Sequence, residues 1–182
     1  GFFSCIGKNG QLYDTLKFGW LQGRQVWMYS RLYNELDRYR NSKILNAAIR
    51  GADFMMANLK DKKSKKCYFL VTREGQPVKI QRTIFTECFY SLGLLELGRA
   101  TKDEKYLIEG LAMIDQIIDW VKTENGFPGL PRLSGSHSVN VMNVPMMLLS
   151  LIDEIETVME KLEDKYVQVR EWCIKQILQH VQ

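Results

Sequence analysis

Apolar residues recur along most of this chain at the three- to four-residue spacing that is typical of amphipathic helices. Six segments carry this pattern, roughly over 15–39, 43–59, 80–99, 103–122, 141–160 and 164–180. The segments 43–59 and 103–122 have a clear polar face, whereas 15–39 is apolar around much of its circumference. The pattern predicts an all-α fold in which some helices are covered on every side and others face solvent on one side.

Two short stretches break the helical pattern and are typical of β-hairpins. They read "GFFSCI-GKNG-QLYD" at the start of the chain and "CYFLV-TREG-QPVKI" before the third helix. In both, aromatic and β-branched residues flank a turn that contains glycine. We therefore expect one small β-hairpin before the first predicted helix and one before the third.

The order of elements repeats with a period of about 65 residues. "KNGQ" at 8–11 recurs as "REGQ" at 73–76, and each is followed by an apolar helix and then by a more amphipathic one. Three αα-hairpins result, roughly over 15–59, 80–122 and 141–180, which we assign to a single domain over 1–182. Consecutive αα-hairpins stack into a solenoid or close into a toroid, with the first helix of each pair inside.

The first predicted inner helix, "KFGWLQGRQVWMYSRLY" over 17–33, carries cations among its tryptophans and tyrosines. At about 100° per residue, Lys17, Trp20 and Arg24 fall on one narrow stripe. An indole beside cations is a plausible platform for a sugar ring, and an arginine satisfied inside the core is the alternative. On this helix alone both interpretations stay open.

The repeat favours the binding interpretation. The period of about 65 residues places polar side chains of the third predicted helix in register with those of the first. It aligns Lys17 with Arg82, Trp20 with Phe85, and Gln22 with Glu87. Two helix openings with polar residues among aromatics indicate a shared polar pocket at one rim. Arg24 is the candidate catalytic residue, and the candidate substrate-binding residues are Trp20, Lys17, Gln22, Arg82 and Glu87.

The motif K-x-x-W-x-Q-x-R-x-x-W, which runs from Lys17 to Trp27, resembles the N-acylglucosamine 2-epimerase family, also called renin-binding protein. The likeness extends over essentially the whole chain. It implies an (α/α)6 toroid of twelve helices, of which this chain supplies about half with two β-hairpins at the rim. It implies interconversion of N-acetylglucosamine and N-acetylmannosamine through an enediolate. In this resemblance Arg24 matches the family's substrate-binding arginine and Trp20 the neighbouring ring-stacking position.

The same resemblance implies partners and activators. It implies an amino-sugar substrate, ATP or another nucleotide as an activator that is not consumed, a homodimer, and renin as a candidate binding partner. The family's two acid/base histidines belong to the second half of the toroid. Because the chain begins without methionine and ends directly after a helix, we expect it to be a fragment. The resemblance places this fragment in the first half of the toroid, and without the two histidines we expect it to be inactive alone.

Neither histidine of this chain is a good candidate for that acid/base pair, and methionine occupies a position where some relatives have a histidine. His137 lies in a loop rich in Ser and Gly, and His180 lies near the end of an outer helix. Some related epimerases carry a histidine on the helix that corresponds to 143–151, where this chain has Met146 or Met147. We therefore assign no acid/base role to either histidine.

Two other functions fit parts of the sequence. Leu148, Ile155, Leu162 and Val169 recur every seven residues, which is typical of a zipper in a protein-interaction module, although core packing explains them more simply. A glycosidase on the same scaffold would need paired carboxylates across the cavity, and only Glu87 is a candidate.

Composition and charge narrow the picture further. The chain has 182 residues, 46% hydrophobic and 25% charged, with a net charge of +4. The basic run "KDKKSKK" over 60–66 is read as a solvated loop rather than as a patch for nucleic acid or membrane. Cys5, Cys67, Cys88 and Cys173 are far apart, which favours reduced thiols in a cytoplasmic protein. With two histidines and no clustered cysteines, we expect no metal site.

Overall fold

The computed structural model describes residues 1–81, 83–123 and 142–181. This part of the chain contains six α-helices: α1 (Gly19–Glu35), α2 (Ser42–Asn58), α3 (Phe85–Thr101), α4 (Glu104–Lys122), α5 (Asn143–Glu156) and α6 (Asp164–Leu178). It also contains five short strands: β1 (Cys5–Ile6), β2 (Leu12–Asp14), β3 (Lys17–Phe18), β4 (Tyr68–Val71) and β5 (Pro77–Ile80). The predicted mainly helical architecture with two small hairpins is confirmed.

The boundaries of the first helix differ from the prediction. Residues 15–18 are not helical, because Lys17 and Phe18 pair with Val71 and Leu70 as strand β3. The helix ends at Glu35, and a single 3-10 turn over Asp37–Tyr39 follows it. The hydrophobic pattern alone could not separate a two-residue strand from a helix start, since both place an apolar residue beside a polar one.

The strands form two small antiparallel sheets. β1 pairs with β2 as the first predicted hairpin, and β4 pairs with β5 as the second. β3 lies beside β4 and extends the second hairpin to a three-stranded sheet in the order β3-β4-β5. Backbone hydrogen bonds thus join the segment that leads into α1 to the hairpin that leads into α3.

The first helices of the three αα-hairpins lie side by side. α1 packs along α3, and α3 packs in turn against α5, while α2 and α4 cover α1 and α3 from the other side. α3 lies at the centre of this arrangement, and its residues over 90–98 are all buried. α1 and α3 run parallel, because Gly19 lies against Thr86, Gly23 against Phe89, and Arg31 against Glu96. These partners are about 65 residues apart, as the sequence repeat predicted.

Glycines allow α1 and α3 to approach closely. A Cβ atom on Gly23 would overlap the carbonyl group of Phe89 and the amide nitrogen of Tyr90, and one on Gly93 would lie 2.8 Å from the carbonyl oxygen of Gly23. Backbone atoms cannot rotate away as a side chain can. The two helices would have to separate to accommodate any larger residue at Gly23.

Gly23→Ala is therefore expected to lower the free energy of unfolding by about 3 kcal/mol through overpacking, despite the better helix propensity of alanine. Gly110→Ala in α4 is a matched control, because its Cβ would meet only side-chain atoms of Leu94 and Leu95 at 3.0 Å or more. Denaturant unfolding followed by circular dichroism measures both variants. Equal effects of the two substitutions would contradict the backbone contact.

The heptad-like apolar residues lie on two separate helices. Leu148 and Ile155 are buried on α5 and Val169 on α6, and Leu162 lies in the connection between these helices. The described residues therefore do not form a continuous zipper stripe, because α5 ends at Glu156 and α6 begins at Asp164. Three of the four side chains pack in the core of this chain, as the simpler interpretation predicted.

The basic run over 60–66 is only partly a solvated loop. Residues 62–65 are exposed, but Lys66 is 3% exposed and is part of the core. That part of the prediction was wrong, because Lys66 has a buried carboxylate partner on α3 that the local sequence does not reveal. All four cysteines are free thiols. None of the described helices is long and apolar enough to cross a membrane.

Candidate functional site

One face of α1 stays open. Its buried residues Gly23, Val26 and Ser30 lie together against the neighbouring helices. Arg24 and Met28 are exposed on the opposite side of the helix. At about 100° per residue, Trp20 and Arg31 fall on this same side within about 40° of Arg24. We call the stripe formed by Trp20, Arg24, Met28 and Arg31 the open face of α1.

Arg24 has an available guanidinium group. It makes no hydrogen bond or ion pair with any residue that the structure describes, and it lies in the second turn of α1. The first turn of this helix has no acidic residue and no side-chain cap, so its N-terminal amide groups add a positive potential. A cation in this place is mildly unfavourable for the helix and favourable for a bound anion or oxygen-rich ligand.

Trp20 lies one turn before Arg24 and contacts α3. Its ring centroid is 5.9 Å from that of Phe89, with an interplanar angle of 49°. Trp20 is only partly buried, so the tilted contact fixes the indole while part of it remains accessible. An indole held in this way beside a guanidinium is suited to the apolar face of a sugar ring.

Lys17 does not belong to the open face of α1. It lies on strand β3, is buried, and its Nζ donates to the backbone carbonyl of Arg73 at 2.7 Å. The ammonium also lies 4.8 Å from the ring centroid of Phe3 and 4.6 Å from that of Phe54 on α2. Burial, with the nearby Arg73, lowers the pKa of Lys17. The predicted stripe of Lys17, Trp20 and Arg24 was wrong in this member, because the helix begins only at Gly19.

Gln22 lies on the side of α1 turned away from Arg24. The side chain is fully buried, its oxygen accepts from the backbone N–H of Phe2 at 2.6 Å, and its amide nitrogen donates to the Phe2 carbonyl at 2.9 Å. These two bonds attach the N-terminal segment to α1, because the Gln22 amide pairs with both the N–H and the C=O of Phe2, as a neighbouring strand would. The contacts of Gln22 are thus those of a structural residue.

Glu87 is also fully buried and has partners within the protein. Its Oε1 atom pairs with the Lys66 ammonium at 2.9 Å and accepts from the backbone N–H of Cys67 at 2.8 Å. Lys66 in turn donates to the carbonyl of Thr83 at 2.6 Å and lies 5.1 Å from the ring centroid of Trp120. The Lys66–Glu87 pair therefore fixes the start of α3 to the segment that leads into β4.

Some of the remaining candidates lie outside the described residues, and the others are exposed. Arg82 and His137 lie outside the described residues, as does the loop over 124–141. His180 is exposed just after α6, and Met146 is exposed on α5. The described residues contain no group of three or more His, Cys, Asp or Glu side chains arranged to hold a metal ion.

The structure adds a polar cluster that the sequence analysis missed. The Trp27 indole N–H on α1 donates to Glu154 Oε2 on α5 at 3.0 Å. Arg31, further along α1, pairs with Glu96 Oε2 on α3 at 3.1 Å and lies 4.0 Å from Glu154 Oε2. We call Trp27, Arg31, Glu96 and Glu154 the three-helix cluster, since the inner helices α1, α3 and α5 each contribute to it.

The two carboxylates of this cluster have unequal surroundings. Glu96 accepts hydrogen bonds from Arg31, from Asn34 at 2.7 Å and from Arg99 at 2.6 Å. Although burial opposes ionisation, Glu154, Arg99 and Asn34 lower the pKa of Glu96. Burial, together with neighbouring Glu96, raises the pKa of Glu154 to about 8.

Two signals in the sequence could have revealed the cluster. Arg31 and Glu96 are separated by the repeat period of about 65 residues, which brings them opposite each other on parallel inner helices. Glu96 also interrupts the apolar run "LGLLELG", where an unpaired acid would be costly.

Comparisons with known proteins agree with this fold and sequence. A family model described as N-acylglucosamine 2-epimerase (GlcNAc 2-epimerase) matches residues 1–128. The chain is 47% identical over its whole length to N-acylglucosamine 2-epimerase of Homo sapiens, of which it covers 43%. It is 29% identical over 107 residues to cellobiose 2-epimerase of Dictyoglomus turgidum, a match that covers 59% of this chain and 27% of that protein.

Solved structures of epimerases share the fold. Cellobiose 2-epimerase from Spirochaeta thermophila superposes with a TM-score of 0.80 at 19% identity, covering all of this chain and 47% of that structure. Cellobiose 2-epimerase from Bacillus thermoamylovorans gives 0.79 at 18% identity, covering 96% of this chain and 48% of that structure. The chain thus spans less than half the length of these relatives, and its six described helices form about half of an α/α toroid.

Proposed function

Because this chain belongs to the N-acylglucosamine 2-epimerase family, we propose that the protein carrying it interconverts N-acetylglucosamine and N-acetylmannosamine by moving the proton at C2. The observation that carries the proposal is the accessible Arg24 beside Trp20 on the open face of α1. In a closed toroid this face is turned towards the central cavity, where a substrate would bind.

The reaction explains the need for a cation. In the open-chain sugar, the C2 proton is acidic because the aldehyde at C1 accepts the electron pair that the broken C–H bond leaves behind. The product is an enediolate with negative charge on the C1 oxygen. A guanidinium near that oxygen stabilises this charge more than it stabilises the neutral aldehyde, which lowers the barrier. Return of a proton to the opposite face of C2 gives the epimer and restores the aldehyde.

Two residues of the open face, Arg24 and Trp20, have distinct parts in this proposal. Arg24 donates to the enediolate oxygen, and the N-terminal end of α1 adds to the same positive potential. Trp20 offers its ring to the apolar face of the sugar. The two acid/base groups are assigned, from the family resemblance, to histidines outside these 182 residues. Lys17, Gln22 and Glu87 support the scaffold through their buried contacts.

The proposal is tested by isotope incorporation. The protein as naturally expressed is incubated with N-acetylglucosamine in D2O, and proton NMR follows both sugars. We expect N-acetylmannosamine to appear with deuterium at C2, since the removed proton exchanges with solvent. Cellobiose serves as the competing substrate, because several structural neighbours are cellobiose 2-epimerases. Faster conversion of cellobiose than of N-acetylglucosamine would contradict the proposed substrate.

We also propose that the 182-residue chain has no epimerase activity when expressed alone, because the acid/base histidines are expected outside it. The measurement is the formation of N-acetylmannosamine from N-acetylglucosamine by the purified chain, with circular dichroism to verify that it is helical. Detectable product from a folded sample would contradict this.

Family resemblance is the sole support for four further proposals: activation by ATP or other nucleotides, a homodimer, binding of renin, and a cytoplasmic location. We assign none of the described residues to a nucleotide site. Initial rates measured across an ATP titration test activation, and light scattering tests the dimer. Co-purification with renin tests the third property, and cell fractionation tests the fourth.

A further inference from the structure

The three-helix cluster contains an excess of acidic groups. Glu96 and Glu154 are buried to 0% and 5% exposure, and Glu35 joins them through Arg99. Arg31 and Arg99 are the cations that the structure pairs with these acids. Glu35 is half exposed, so water solvates its charge, and Arg99 is shared between Glu35 and Glu96. Arg31 lies 3.1 Å from Glu96 but 4.0 Å from Glu154, so an ionised Glu154 would be the buried carboxylate with the weaker cation partner. Burying an uncompensated charge is strongly unfavourable, so one carboxyl is expected to be neutral.

The hydrogen bonds identify which carboxyl that is. Glu96 accepts from three donors, the side chains of Arg31, Asn34 and Arg99, all of which favour its ionised form. Glu154 accepts on Oε2 from Trp27, while its Oε1 atom is buried and has no donor among the described residues. A proton on Glu154 would lower the cost of burying this carboxyl with an unpaired oxygen, and the neighbouring carboxylate of Glu96 is the acceptor available to it.

We propose that Glu154 carries a proton, shares it with Glu96, and through this bond positions Arg31 on the open face of α1 and Trp27 beside that face. The bond joins α5 to α3, and the Trp27 and Arg31 contacts then join both helices to α1. The Arg31 side chain is 34% exposed, so the unit reaches the surface of the chain on the open face of α1 and is not sealed within the core. It lies about 10 Å along α1 from Arg24.

The charged groups that face the Glu96–Glu154 pair come from α1 and α3. α1 contributes Arg31 and, through Arg99, Glu35, and α3 contributes Arg99 itself. Within the described residues, α2, α4 and α6 contribute no ion pair to either carboxyl. The ionisation of Glu96 and Glu154 therefore depends on these two acids themselves and on the two arginines.

The consequence for pH has a definite sign. The folded-state pKa of Glu154, about 8, lies above its ordinary value of 4.5. The stabilisation of the folded state by the protonated Glu154 carboxyl is therefore complete below pH 4.5 and is lost as pH rises through 8. Relative to a Glu154→Gln variant, the unfolding equilibrium constant of the parent is expected to rise by up to about tenfold per pH unit over this interval, and to level off above it.

Infrared spectroscopy reads the shared proton directly and needs no substrate. At pH 6, the difference spectrum of the parent minus Glu154→Gln is expected to show the stretching band of a protonated carboxyl group. Asp153→Asn is the matched control, because Asp153 is the exposed acid next to Glu154 on α5. Its difference spectrum should lack that band. A parent-minus-Glu154→Gln spectrum without the band, with both proteins folded, would overturn the proposal.

A second measurement is made on the parent protein, so its result does not depend on whether the variant folds. The Trp27 indole N–H donates to Glu154, so its proton resonance in NMR should move with a midpoint near pH 8. In Glu154→Gln the carboxyl is replaced by an amide that cannot titrate, so the same resonance should stay fixed in that variant. An indole resonance that does not move between pH 6 and 10 in the parent would overturn the shared proton while leaving the proposed epimerisation untouched.

Discussion

Replacement of Arg24 by alanine is expected to lower kcat/KM for epimerisation by about 100- to 1,000-fold, the effect typical of losing one donor to a developing oxyanion. The loss should lie mainly in kcat, since the enediolate carries the charge that the substrate lacks. The free energy of unfolding should not fall. Arg24 is exposed and has no partner among the described residues, and alanine is a better helix former in any case.

Two variants separate the role of this arginine from a general effect of charge. Arg24→Lys keeps the positive charge but loses the planar pair of donors, so its kcat/KM should lie between those of the parent and Arg24→Ala. Arg50→Ala removes an exposed arginine from the outer helix α2 and should leave the rate unchanged. If Arg24→Ala retained more than a tenth of the parental kcat/KM, the proposed site on α1 would be wrong.

Replacement of Lys66 by methionine is expected to lower the free energy of unfolding by about 3–5 kcal/mol. The substitution leaves Glu87 buried without its cation, and one oxygen of this carboxylate already lacks a hydrogen-bond partner in the described structure. The carbonyl of Thr83 also loses its donor. Denaturant unfolding measures the loss, which should be accompanied by only minor changes in KM if Glu87 is structural.

The controls for this pair lie close by. Lys63→Met changes an exposed lysine of the same basic run and should alter stability by less than about 0.5 kcal/mol. Replacing both Lys66 and Glu87 by methionine removes the buried charges together and should recover much of the lost stability. If the single Lys66→Met variant were as stable as Lys63→Met, the ion pair would not be what fixes the hairpin to α3.

The repeated elements and the open face could be predicted from the sequence because they depend on local patterns. Apolar spacing located the helices, and the Gly-containing turns located both hairpins. The stripe of Trp20 and Arg24 follows from helical geometry alone, and the structure leaves it open as expected. The period of about 65 residues also predicted which positions of α1 and α3 face each other.

The remaining features depend on partners that are distant in sequence. Lys17 was placed on the helix because a two-residue strand has no periodicity, and only its pairing with Val71 defines it. Lys66 was read as solvated because its partner, Glu87, lies on the following helix. Glu154 was missed because its raised pKa comes from burial between helices and from Glu96 on a different helix. Each of these is a tertiary interaction that a local pattern does not encode.

The backbone pairing of β3 with β4 has a consequence for how the family diversifies. Because main-chain hydrogen bonds to β4 set the position of the segment entering α1, the turn over 7–10 contributes little to placing Arg24. Substitutions and insertions at that turn are expected to leave Arg24, the proposed catalytic arginine, in place. Natural selection can therefore vary this part of the rim while the position of Arg24 on α1 is inherited unchanged.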